Sequence, residues 1–174
     1  MKSPTDILRD EHRVILGALT TLERAVDRLA AGRTLPEGWW DQTVEWFRAF
    51  ADRNHHAKEE KSLFPAMVKA GVPAENSPIS VMLEEHVQGR ALIRAMAVEA
   101  IAQRAAAALG YVQLLRDHIA KEDGILWPLA ESVLDERAVA AVAREFDAVE
   151  AEQGRAASID HQERAMKRLG EVLG

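Results

Sequence analysis

The chain has no cysteine, which excludes disulfides, thiolate metal sites, iron–sulfur clusters and cysteine nucleophiles together. It also lacks any apolar run long enough to cross a bilayer. The first residues turn acidic where a secretory signal would be apolar, so we expect no signal peptide and a cytoplasmic location. Basic charge is not in excess, because the net charge is −6, and we expect no binding to nucleic acid or to a membrane.

Aromatic residues are scarce, at 5% of the sequence, and runs of β-branched residues are missing. Alanine, leucine, glutamate and arginine dominate instead, which favours an all-α protein. The chain is 48% hydrophobic and 29% charged, a balance typical of a globular protein rather than a disordered one. Its 174 residues suffice for one domain with a sizeable core.

Capping and helix-breaking residues divide the chain into helices. A serine followed by a proline is typical of a helix start, and a glycine is typical of a helix end. The predicted boundaries are, in chain order, a start at Ser3-Pro4, an end at Gly32, a start near Pro36 or Glu37, an end near Lys69, a start at Ser77-Pro78, and a fourth helix containing Tyr111 to Leu129. Between Arg90 and Gly110 no breaker occurs, so the pattern alone also permits one very long helix there.

Two segments of the chain repeat each other. The first runs from His55 to Pro65 and the second from His118 to Pro128, and both read His-x3-Glu-acid-x2-Leu-aromatic-Pro. Farther upstream, each is preceded by a histidine after two acidic residues, in Asp10-Glu11-His12 and in Glu84-Glu85-His86. The chain therefore contains two copies of one unit, each supplying a lone histidine and then a histidine–glutamate pair.

The spacing within each pair has a chemical reason. Residues four apart on a helix share one face, so His-x3-Glu directs an imidazole and a carboxylate toward one point. Such groups are costly to bury unless they are paired or bind a metal, and without metal this set would lack a counter-charge. The predicted metal ligands are His12, His55, Glu59, His86, His118 and Glu122.

The turns provide an independent check on this arrangement. If antiparallel helices present their ligands at one level, each turn lies midway between two ligands. Positions 12 and 55 have their midpoint between 33 and 34, next to Gly32, and positions 55 and 86 between 70 and 71, at Gly71. Positions 86 and 118 have their midpoint at 102, which predicts a turn near Glu99–Ala105. The sequence thus predicts an up-down-up-down antiparallel four-helix bundle with the four histidines in one layer.

Nitrogen and oxygen ligands without thiolate suit iron, manganese or zinc. Six ligands exceed what one tetrahedral zinc requires, and two carboxylates on neighbouring helices are well placed to bridge two ions. The sequence therefore favours two iron ions, with zinc or manganese as alternatives. The pattern differs from the ferritin-like one, which uses Glu-x2-His pairs with lone glutamates.

These motifs resemble those of the hemerythrin-like, or HHE cation-binding, family over roughly residues 5–130. The resemblance implies that the six residues are iron ligands, with Glu59 and Glu122 bridging. It also implies a small ligand, since members bind dioxygen, sense oxygen or iron, or handle nitric oxide or peroxide.

The sequence departs from the oxygen carriers of that family. Their fifth histidine would fall at Arg90, and their last carboxylate at Asp123, although Glu122 fits the repeat better. Four histidines are closer to the bacterial iron-repair and stress-response members, which usually carry a cysteine-containing N-terminal domain. His56 is a possible extra ligand, although its repeat partner is isoleucine. Glu60 and Asp123 are expected on the solvent side.

Other residues leave alternatives open. Tyr111 lies seven residues before His118 and either hydrogen-bonds near the metals or is a core aromatic with its hydroxyl at the bundle edge. The aromatic residues of the second helix are expected in the core or on a face that binds a second copy or another protein: Trp39, Trp40, Trp46 and Phe50. The C-terminal helices are expected to pack on the bundle or on such a partner.

The expected organisation is a bundle over residues 1–131 and a C-terminal extension of one or two helices over residues 132–174. Three functions compete: a module that binds or senses dioxygen, nitric oxide or iron; a di-iron enzyme acting on dioxygen, peroxide or nitric oxide; and a purely structural metal site. No catalytic residue is assigned, because no proton donor beside the metals is evident in the sequence.

Overall fold

The computed structural model describes residues 2–98 and 100–174, and within them the chain is helical without any strand. The all-α prediction is therefore confirmed. Four long helical stretches come first: α1 (Pro4–Ala30); α2 (Trp39–Trp46), continued by π-helical segments Phe47–His56 and Glu59–Leu63 and by α3 (Phe64–Lys69); α4 (Pro78–Val98); and α5 (Ile101–Lys121), continued by π-helical Glu122–Leu126 and α6 (Trp127–Val133). A C-terminal part follows, with α7 (Glu136–Gln153), a 3-10 turn (Gly154–Ala157) and α8 (Ile159–Glu171).

The helix ends follow local chemistry. Ser3 caps α1 by accepting a hydrogen bond from the backbone N–H of Asp6, whose side chain accepts from the N–H of Ser3. The second stretch begins at Trp39, later than the predicted Pro36 or Glu37. The reason is Gly38, whose φ of 71° breaks the helical backbone immediately before Trp39.

The alanine-rich region contains a break, so the alternative of one long helix is wrong. Helix α4 ends at Val98 and α5 begins at Ile101, because Ala100 takes an extended conformation with ψ 161°. The break lies at the start of the predicted Glu99–Ala105 turn, and most of that range belongs to α5. Glu99 itself lies outside the described residues.

Two apolar clusters form the core, and the buried histidines separate them along the chain. The first cluster contains Val14, Phe50, Ile93 and Leu115, and the second contains Leu8, Leu63, Met82 and Leu126, among others. On α1 and α4 the second cluster precedes the histidine. On the other two stretches the first cluster precedes it, apart from Ile119, which directly follows His118. The order of the clusters thus reverses from each stretch to the next.

The C-terminal helices pack on the rest of the chain. The indole N–H of Trp39 donates to the carbonyl of Leu169 (2.9 Å), and that of Trp46 donates to the carbonyl of Gln162 (3.2 Å). The aromatic residues that were expected in the core or on a partner-binding face are all buried, and two of them contact α8 of the same chain. Helix α7 contributes Phe146 to the second apolar cluster. Among the described residues, no helix has the length and apolar composition needed to cross a membrane.

Candidate metal centre

All six predicted ligands are buried, and the structure brings them together. Together with His56, they form two groups, within each of which every donor atom lies within 4.8 Å of the others. Both groups include Glu59. We call them the two-histidine group (His12, His55, Glu59 and Glu122) and the three-histidine group (His56, Glu59, His86 and His118).

Both carboxylates lie between the two groups. Glu59 places Oε1 3.1 Å from Nε2 of His55 and Oε2 3.3 Å from Nε2 of His86. Glu122 places Oε2 3.1 Å from Nε2 of His12 and Oε1 3.3 Å from Nε2 of His118. Each carboxylate therefore directs one oxygen to each group, which is the geometry of a bridging ligand.

The backbone at both histidine–glutamate pairs departs from a regular α-helix. A π-helical segment begins at Glu59 and another at Glu122, and a proline follows each, at Pro65 and Pro128. Proline lacks an N–H and crowds the carbonyl four residues before it. We attribute the wider π-turns to this crowding, and π-turns inside helices are frequent at functional sites.

Each of the four predicted histidine ligands donates from Nδ1 to a carboxylate. Because Nδ1 carries a proton in this bond, Nε2 is the atom that faces the other donors, and it can ligate a metal once it is deprotonated. The pairs are His12 with Asp123 (2.8 Å), His55 with Glu11 (2.9 Å), His86 with Glu60 (2.7 Å) and His118 with Glu85 (2.9 Å).

Glu60 and Asp123, which were expected on the solvent side, are partly exposed and also contact the metal layer. Their side chains are 28% and 39% exposed, yet each orients a histidine. The repeat contained this signal, because its two copies also share the acid before the lone histidine, the lysine before the glutamate and the acid after it. The matched pairs are Glu11 with Glu85, Lys58 with Lys121 and Glu60 with Asp123.

Several buried polar atoms of this layer have no hydrogen-bond partner among the described residues, and leaving such atoms unsatisfied is costly. They are Nε2 of His55, Nδ1 of His56, both carboxylate oxygens of Glu59, and Oε1 of Glu122. Metal ligation would satisfy most of them at once. The donors are all nitrogen and oxygen, which fits iron, manganese or zinc.

His56 lies among these donors although its repeat partner cannot ligate. Its ring stacks on that of His86, with the centroids 3.8 Å apart, and its Nδ1 lies 3.6 Å from a carboxylate oxygen of Asp52. Arg90 binds both Asp52 (2.7 Å) and Glu60 (2.7 Å). It therefore holds the carboxylates beside the two stacked histidines.

Residues 3–130 match the family model described as the hemerythrin HHE cation binding domain. The chain belongs to this family. The matched region contains the four ligand-bearing helical stretches up to Ala130 and ends before α7.

Relatives of this hemerythrin-family chain are uncharacterised proteins of Mycobacterium bovis and Mycobacterium tuberculosis. Each is 27% identical over 145 residues, a match that covers 76% of this chain and 54% of the relative. The chain thus spans about half the length of the curated relatives it matches. No solved structure matches it.

Without metal, the hemerythrin-type layer balances its charges with protons. Burial disfavours a charged imidazole, but the charge of Glu59 and the hydrogen bond to Glu11 raise the pKa of His55 to about 10. Burial likewise opposes protonation of His86, but the nearby carboxylate of Glu59 and the hydrogen bond to Glu60 raise its pKa to about 9. The expectation that the metal-free layer lacks a counter-charge is therefore wrong, and metal must displace protons.

The carboxylates and His56 shift in the opposite direction. Burial would raise the pKa of Glu59, but its histidine neighbours hold it well below the usual value. Burial and the charge of Glu59 would raise the pKa of Glu122, but its histidine neighbours lower it to about 2. Burial and the charge of His86 lower the pKa of His56 to about 3. His56 is therefore neutral, the form that can ligate.

Tyr111 belongs to neither group of donors. Its ring lies edge-on to Phe47, with the centroids 5.1 Å apart, and its hydroxyl has no hydrogen-bond partner among the described residues. Burial and the charge of Asp52 raise its pKa. Tyr111 is therefore a core aromatic, fully buried in the first apolar cluster, as one of the two alternatives had it. Its hydroxyl is buried rather than at the bundle edge.

Proposed function

We propose that this chain holds a di-iron centre that binds or senses dioxygen or nitric oxide. The observation that carries the proposal is the position of Glu59 and Glu122, each with one oxygen directed to each of two donor groups. In this proposal the two carboxylates bridge two ions. His12 and His55 complete the coordination of one ion, and His86 and His118 complete that of the other.

An up-down-up-down antiparallel bundle is the topology we propose for the four ligand-bearing stretches. The order of the two apolar clusters along the chain reverses from each stretch to the next, which supports helical stretches that alternate in direction. Short connections between the stretches support the same topology, since they suit antiparallel neighbours. We propose residues 1–131 as the metal-binding domain, residues 132–174 as its extension, and the cytoplasm as the location.

The two proposed ion positions have different numbers of donors. His56 adds a third imidazole to one group, whereas its repeat partner, Ile119, cannot ligate. The ion between His12 and His55 would then have two imidazoles and two carboxylate oxygens. Structural metal sites are usually closed, and reactive ones keep an open position. This difference favours binding of an external ligand over a purely structural role.

Iron is favoured because the donors are imidazoles and carboxylates and because two ions can share them. When bound, the irons would supply the electrons for reversible binding of dioxygen or nitric oxide. The chain's own residues would hold Nε2 of four histidines inward, through the carboxylates on Nδ1. Zinc and manganese are compatible with the same donors, and metal analysis of the purified protein distinguishes them.

The test is anaerobic reconstitution with ferrous iron, followed by elemental analysis and optical spectra with dioxygen, nitric oxide or peroxide. The proposal expects two irons per chain and a band that appears with dioxygen or nitric oxide and disappears when the gas is removed. Continuous consumption of dioxygen or peroxide would favour an enzyme instead. Two irons without any spectral response would favour a structural site, and one iron at saturation would overturn the di-iron centre.

A further inference from the structure

A buried lysine connects the metal layer to the C-terminal helix α7. The side chain of Lys58 is fully buried, with its ammonium 5.6 Å from the ring centroid of Phe146. It forms ion pairs with Glu11 of α1 and with Glu150 of α7, the latter at 2.7 Å. A buried ammonium is stable only when it is paired in this way.

The same glutamate that binds Lys58 also orients a predicted ligand. One oxygen of Glu11 accepts hydrogen bonds from Lys58 and from Asn54 (2.7 Å), and the other accepts from Nδ1 of His55 (2.9 Å). Contacts therefore run without a gap from Glu150 through Lys58 and Glu11 to His55. Nε2 of His55 belongs to the two-histidine group.

The repeat provides an internal comparison. Lys121 occupies the position of Lys58 in the second unit, and it binds Glu85, which orients His118. Its side chain is 37% exposed, and no second carboxylate binds it among the described residues. The link to α7 is thus specific to the two-histidine group, the one whose ion is proposed to have the open position.

We infer that Glu150 is a positioning residue through which α7 tunes the ion held by His12 and His55. This inference rests on the proposed metal centre. Lys58 forms ion pairs with both Glu150 and Glu11. Without the carboxylate of Glu150, Lys58 would interact more strongly with Glu11. Glu11 would then accept less strongly from Nδ1 of His55, so that His55 becomes a poorer donor to metal.

The test compares Glu150→Gln with Glu152→Gln. Glu152 lies on the same helix, is 67% exposed and forms, among the described residues, an ion pair with Lys61 alone, at 3.9 Å, so it is a matched control. Competitive zinc titration measures the affinity of each binding step. Ring ¹⁵N NMR of the zinc-loaded protein reports each histidine separately. A general loss of stability would not shift the signals of one histidine alone.

The expected result is a fall of about fivefold in the affinity of one zinc step for Glu150→Gln, below the roughly 10- to 100-fold typical of direct histidine partners. The ¹⁵N signals of His55 should shift, with those of His118 unchanged and with Glu152→Gln like the wild type. Unchanged affinities and signals would overturn the inference, and so would an equal fall in both steps. A wild-type protein that takes up fewer than two zinc ions would instead contradict the proposed two-ion centre.

Discussion

The Nε2 atoms of His86 and His118 lie 3.1 Å apart in the buried layer. Both histidines donate from Nδ1 to carboxylates, so each Nε2 is free to ligate a metal when it is deprotonated. We expect His118→Ala to reduce reconstituted iron from two per chain to about one, because the carboxylates still serve the other group. Elemental analysis measures this, and His161→Ala is the control, because His161 lies on α8 and belongs to neither group of donors. Two irons in His118→Ala would contradict the assignment.

The register of the repeat is tested by four alanine variants. Glu59→Ala and Glu122→Ala should each lose iron, because each carboxylate serves both groups. Glu60→Ala and Asp123→Ala should still bind iron at saturation, with affinity weaker by about 10- to 100-fold, since they act on Nδ1 of a histidine. Iron titrations of the four variants show which carboxylate of each pair is the ligand. An empty site in Asp123→Ala with a full one in Glu122→Ala would mean that Asp123 is the ligand.

The gap in thermal stability between the iron-loaded and chelated proteins should widen as pH rises above about 6.5. A histidine with a raised folded-state pKa contributes its full stabilisation below the unfolded pKa and loses it as pH rises through the folded one. For His55 and His86 this loss extends to about pH 10 and about pH 9. Metal needs the same imidazoles deprotonated, so its stabilisation grows over that range.

Melting curves with and without chelator across this range are the measurement. Bound metal should add about 4 kcal/mol when the free metal is about a thousandfold above its dissociation constant. Identical melting temperatures for verified loaded and metal-free protein at neutral pH would mean that metal does not connect the helices.

Replacing His56 by isoleucine tests the difference between the two ion positions. The change copies Ile119, its partner in the repeat, and removes the third imidazole from one group. In the diferrous wild type we expect two unequal iron signals by Mössbauer spectroscopy, and in His56→Ile we expect them to become more alike. Unequal signals that stay unchanged in His56→Ile would show that His56 does not ligate.

The contact between the bundle and α8 is tested by a pair of tryptophan variants. Trp39→Phe should lower the free energy of unfolding by about 1 kcal/mol more than Trp40→Phe. Both changes remove a similar ring from a buried position. Of the two, only Trp39 donates to α8, whereas the indole N–H of Trp40 has no partner in the described part of the chain. Urea denaturation measures the difference, and equal losses would mean that the hydrogen bond to Leu169 contributes nothing net.

Much of the candidate site was predictable because its information is local. The four-residue interval of His55 and Glu59 places both on one helix face wherever the helix packs, and the same holds for His118 and Glu122. Repetition of that interval, with a lone histidine before each, indicated six donors. The break before Ile101 was predictable only roughly, because helical spacing sets its distance from the ligands while alanine places no stop there.

Contacts between distant residues were beyond the sequence pattern, because they depend on how the helices rotate against one another. The pattern made His56 no better than a possible ligand, and its stacking on His86 results from the packing of two separate helices. The burial of Lys58 between Glu11 and Glu150 joins residues 47 and 92 positions apart, and no local spacing encodes that. The sequence therefore determined the donor types, their helical spacing and the all-α class. Tertiary packing decided which carboxylate orients which histidine, and how α7 reaches the metal layer.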